Sequence, residues 1–79
     1  MELYKEFALT RDVPEANLKQ GDVAMLVDLV NHPAGGEQGA VLEVFNAVGE
    51  SIAVVTVPTS AVEPLRPDQV PSVRALKTA

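Results

Sequence analysis

The sequence predicts an all-β chain, a small five-stranded antiparallel barrel, on three observations. Runs rich in Val and Ile have strand length, Gly and Pro punctuate them, and no segment suits a long helix. Glu6–Thr10 reads as a first short strand. Arg11–Gln20 is a connector in which Pro14 breaks pairing and Asp12 and Asn17 suit turns. Gly21-Asp22 opens a long second strand from Val23 to about His32, and Pro33-Ala34-Gly35-Gly36 is a loop. Gly39 starts a third strand, Ala40–Phe45. Asn46–Glu50 is a hairpin loop with Gly49 placed to take a positive φ. Ser51–Val57 is the fourth strand, ended by Pro58, which cannot donate to a ladder. Thr59-Ser60-Ala61 reads as a tight helical turn before a fifth strand, Val62–Arg66. Residues 67–79 contain Pro67 and Pro71 and form an extended C-terminal tail, loose or docked, with room for one helical turn over Ser72–Lys77. This spacing resembles that of SH3-like barrels, with the barrel over residues 1–66.

Size and composition narrow the function. A chain of 79 residues is one domain and buries only about 60% of its unfolded surface. Yet 47% of it is hydrophobic and its mean hydropathy is +0.14. Either it shares apolar surface with a partner, or many small Ala and Val residues inflate the count. Without Cys there is no disulfide or thiolate metal site, and with His32 alone a Cys/His zinc site is excluded. No run approaches the ~20 apolar residues of a spanning helix, and Met1–Glu6 lacks the features of a signal peptide, so the expected location is the cytoplasm. The net charge of −5 argues against nucleic-acid binding, which needs clustered Lys and Arg. Residues 1–66 carry 4 basic and 10 acidic groups, while the tail is weakly basic through Arg74 and Lys77. The tail could therefore dock on an acidic body, its own or a neighbour's, or its charge could be incidental.

Strand alternation assigns faces. With Asp28 turned to water, Ala24, Leu26 and Val30 share its side, and Val23, Met25, Val27 and Leu29 point inward. With Glu43 outward, Val41 and Phe45 join it, and Ala40, Leu42 and Val44 face the core. In the fourth strand Ile52, Val54 and Thr56 lie opposite Ala53, Val55 and Val57. The outer face thus holds Leu26, Val30, Val41, Phe45, Ile52 and Val54, a candidate interface too apolar for a solvated surface. Alternatively Phe7, Leu9, Val70, Val73 or Leu76 covers it within the chain.

Several short stretches carry a pattern: Phe7-Ala8-Leu9-Thr10, Val13-Pro14, Asn17–Ala24, Leu42-Glu43-Val44-Phe45, then Gly49 and Ala53–Val57. Over residues 6–66 they resemble a small bacterial family, the domain of unknown function 4926. The resemblance implies an SH3-like barrel, related in shape to nitrile hydratase β-subunits and to ribosomal KOW modules; the family has no assigned catalytic residues, so none is carried over. Ala24 stands where that pattern has Gly, and the Gly35-Gly36 loop and the tail fall outside it.

The remaining chemistry is thin. Gly21-Asp22 reads as turn chemistry, with Gly supplying the φ and Asp bonding a nearby amide. His32 with Glu37 could form a base or half a metal site, and Asp28 with Glu43 a carboxylate pair, but loop and strand exposure account for all four. Ser51, Ser60 and Ser72 lack a nucleophile elbow, and one His makes a triad improbable. With Tyr4, Phe7 and Phe45 as the only aromatics, proline-peptide grooves and RNA platforms have little support. The reading is a non-catalytic protein-interaction module, antitoxin-like or an accessory subunit, that self-associates or binds a larger protein. It is expected to use no cofactor, metal, small-molecule substrate, membrane or nucleic acid. The alternatives are a nitrile-hydratase-β-like small subunit of an enzyme and a KOW-like RNA or ribosome binder.

Overall fold

The computed structural model describes residues 1–31 and 35–76. Among these residues the chain forms five strands: β1 (Glu6–Leu9), β2 (Val23–Val30), β3 (Gly39–Phe45), β4 (Ser51–Pro58) and β5 (Val62–Pro64). They form one antiparallel sheet in the order β4-β3-β2-β1-β5. The last strand returns to pair with the first, Leu9 opposite Val62 and Phe7 opposite Pro64. This order, with a 3-10 turn at Thr59–Ala61 leading into β5, is the SH3-like arrangement expected from the spacing. Among the described residues no ladder joins β4 to β5, so both remain edges of the sheet.

The connectors follow local chemistry. Between β1 and β2 a 3-10 turn, Pro14–Ala16, starts on a proline whose φ is preset. Asn17 ends it in the left-handed region at φ 59°, and Val13 and Leu18 exchange backbone hydrogen bonds across it. Gly21 takes φ 89°, and the Lys19 amide donates to Asp22 Oδ2 at 2.8 Å, the turn chemistry read from Gly21-Asp22. The hairpin of β3 and β4 closes on Asn46, whose Oδ1 accepts the Val48 and Glu50 amides at 3.1 and 2.9 Å. Gly49 completes it at φ 84°.

Some elements are shorter than expected. β1 stops at Leu9, β2 at Val30 and β5 at Pro64. After β5 one further bond runs from the Leu65 amide to Glu6 O, and Pro67 has no donor to continue. Residues 72–76 form no helical turn, and Lys77 lies outside the described residues, as do His32, Pro33 and Ala34.

One core joins all five strands, with Phe7, Leu26, Leu42, Val13 and Val57 its largest fully buried side chains. Burying each contributes about 1.5–3 kcal/mol against exposure. The faces of β3 and β4 are as alternation predicts: Ala40, Leu42, Val44 and Val57 are buried, and Ala53 and Val55 pack against them.

The first half of β2 is reversed. Ala24 and Leu26, expected outside, are core, and Leu26 is 0% exposed. Val23, Met25 and Val27, expected inside, are only half-buried and are not part of the core. The cause is a β-bulge. Leu26 faces Leu42 and Asp28 faces Val41, so β2 advances two residues while β3 advances one. Val27 is the extra residue, and counting back from Asp28 therefore inverts every side chain before it. Beyond the bulge the expectation holds: Leu29 packs on the core and Val30 is exposed.

Candidate functional site

Of the six residues of the candidate interface, Leu26 belongs to the core and the other five lie outside it. Val54 is 62% exposed in the middle of β4, Ile52 46%, and Phe45 and Val30 40% each. Val41 is half-buried. They do not form one unbroken patch. The register sets Glu43 between Met25 and Val54, and Asp28 and Thr56 on either side of Val41. Asp28 and Glu43 therefore face different partners, and the register does not set them opposite each other. Asp28 accepts the amide of its neighbour Leu29 at 2.8 Å.

A close approach draws Val30 toward β4. Gly39 lies opposite both Val30 and Pro58. A Cβ on Gly39 would stand 2.9 Å from Thr56 Cγ2 and 3.0 Å from Val30 Cγ2. The missing side chain thus lets Val30 and Thr56 close over the start of β3.

Phe45 and Ile52 lie at the hairpin end of the sheet. There they line a groove of about 370 Å³ with Leu18, Val23 and the tail segment Ser72–Leu76. Leu76 packs against the core. Arg74 holds the segment by a two-pronged ion pair with Asp22, its Nε donating to Oδ1 at 2.8 Å and Nη2 to Oδ2. Nη2 also donates to Asn17 O at 3.3 Å. Burial pushes the Asp22 carboxyl up, but the hydrogen bonds from Arg74 and the Lys19 amide, with the charges of both residues, outweigh it. The net result lies below the usual carboxylate value. Sequence reasoning did not single out Arg74 and Asp22 as a pair. The only signal was a weakly basic tail beside an acidic body, and that does not choose one carboxylate among ten.

Glu37, paired with His32 in the sequence reading, has a structural engagement of its own. It accepts the Ser60 amide at 2.5 Å, the Ser60 hydroxyl at 3.1 Å and the Thr59 hydroxyl at 3.2 Å. The Ser60 side-chain and backbone bonds, helped by Thr59, hold its carboxyl below the usual value. This clamp ties the chain before β3 to the 3-10 turn before β5, and it engages the Ser60 hydroxyl. Among the described residues no group of three or more His, Asp and Glu is placed to hold a metal ion. Nor is any described helix long and apolar enough to cross a membrane.

No protein-family profile, no curated protein and no solved structure matches this chain.

Proposed function

We propose that the chain is a non-catalytic protein-interaction module of the cytoplasm, binding protein through the outer side of β3 and β4. The observation that carries this reading is Val54, an apolar side chain 62% exposed at the centre of a strand, flanked along β4 by exposed Ile52. Covering a half-exposed Val or Ile contributes about 1 kcal/mol, and several together support a specific association. The acidic balance of the chain favours a partner surface that is neutral or basic.

The test compares the wild-type chain with Val54→Asp. Each is used as bait in cells of its origin, and each is weighed in solution by light scattering. The wild type is expected to hold a stoichiometric protein, another chain or itself, and Val54→Asp to lose it while keeping a cooperative unfolding transition. A wild type that is monomeric at every concentration and retains no protein overturns the reading.

A further inference from the structure

We propose that the partner is a second copy of the chain, joined edge to edge along β4, the strand that carries Val54, so that two sheets become one. The inference deepens the reading above and rests on it.

β4 ends the sheet, so among the described residues no strand lies beside one side of its backbone. The Thr59 amide donates to Gln38 O at 3.0 Å, and the register runs unbroken from Gly39–Pro58 to Val44–Ala53. In an antiparallel ladder bonded and non-bonded pairs alternate. Counting back from Thr59, the groups of Val57, Val55 and Ala53 serve β3. Those of Val54 and Thr56 point away from it. Among the described residues nothing outside the sheet bonds to their backbone.

The strand lacks the usual protection of an edge. Monomeric proteins guard such strands with Lys, inward charges, bulges or Pro. Ser51–Pro58 contains no ionisable side chain. Its two guarding features stand at its ends: the bulge that makes Ile52 the extra residue, and Pro58. Between them lies Ala53–Val57, centred on Val55.

That window is self-complementary in one register. A two-fold axis at Val55 sets Val54 opposite Thr56 of the partner subunit, and Thr56 opposite Val54 of the partner subunit. Both pairs exchange both backbone bonds, four in all by the alternation above. Sliding by one residue sets outward groups against groups already bonded. Sliding by two brings in Pro58, which has no donor, or the bulged Ile52.

Charge permits the pairing. A chain of net charge −5 repels its copy across most surfaces. Here β4 itself carries no charge, and the register sets Glu43 beside Val54, one strand in from the edge. Across the joint the two Glu43 residues are three strand spacings apart, about 14 Å, beyond the Debye length of about 8 Å at physiological salt. A contact built on one edge strand falls in the small class of interface, below about 1,200 Å², so the association is concentration-dependent.

The test uses the purified full chain. Sedimentation or light scattering over a wide concentration range is expected to show the mass rising from monomer to dimer. Amide exchange read residue by residue is the decisive measurement. Val55 is protected at every concentration, whereas Val54 and Thr56 are expected to gain about tenfold protection or more only where the dimer is populated. Thr56→Pro removes an outward donor that serves no bond within the sheet, and it is expected to give a folded monomer with Val55 still protected. If that variant does not fold, Val54→Lys replaces it and is expected to weaken the dimer at least tenfold, by about 1.4 kcal/mol or more. A dimer whose Val54 and Thr56 amides exchange as fast as in the monomer overturns the edge pairing in favour of face packing. A monomer at every concentration overturns the second copy. The interaction reading then stands or falls separately, on whether the wild-type chain retains another protein.

Discussion

Leu26→Ala puts the packing of β2 to a quantitative test. Leu26 is 0% exposed and lies opposite Leu42, also 0% exposed. The change removes three carbon groups at about 0.8 kcal/mol each, about 2.4 kcal/mol of lost transfer free energy. The void left between the strands raises the cost toward about 3–5 kcal/mol if the neighbours do not collapse into it. A chain of 79 residues is stable by only about 4–12 kcal/mol, so the variant forfeits a large share of its total. At about 4–8 °C per kcal/mol for a small domain, the midpoint of thermal unfolding should fall by at least ~10 °C. The assay is urea and thermal unfolding followed by circular dichroism, with Val54→Ala as comparator. Val54 is 62% exposed, and its truncation should cost no more than about 0.5 kcal/mol. Uninterrupted alternation would place Leu26 and Val54 on the same outer side, with similar small costs. Equal and small losses for the two variants would refute the bulge and the core built on it.

The other predictions follow from particular contacts. Gly39→Ala places a Cβ against Thr56 and Val30 and should cost about 1–3 kcal/mol, partly recovered in the double variant with Val30→Ala, as urea midpoints would show. Asp22 has a depressed pKa in the folded state, so its contribution is present above the unfolded value of about 3.9 and is lost as pH falls through the folded value. Arg74→Ala should therefore lower the urea midpoint at pH 7 and converge with the wild type in acid; a gap that is constant with pH would show that the ion pair does not act this way. Glu37 titrates with the same sign, so some acid sensitivity should survive in Arg74→Ala and shrink further in a double variant with Glu37→Gln. Asn46→Ala removes the acceptor of two hairpin amides and should cost about 1–2 kcal/mol, read from the same unfolding curves.

Much of the fold is legible in the sequence because its signals are local. Val-rich runs near Gly and Pro give β2, β3 and β4, Asn46 to Gly49 gives the hairpin, and Pro58 followed by Thr59-Ser60-Ala61 gives the turn before β5. Each depends on the φ range or hydrogen-bonding capacity of a few neighbouring residues. The candidate interface is legible only in part. Val30, Val41, Phe45, Ile52 and Val54 lie outside the core as alternation requires, while Leu26 does not.

What the tertiary structure alone decided has a common physical origin. A strand's faces follow a parity count, and one extra residue reverses the parity of everything before it. Nothing around Val27 marks the bulge; no Gly or Pro stands there, and the mismatch exists only against β3. The same holds for Arg74 and Asp22, which are 52 positions apart and meet only once β2 and the tail share one end of the sheet. The sequence by itself determined which segments extend and where they turn. Folding decided which side of β2 is buried and which carboxylate receives the tail, because both depend on partners far along the chain.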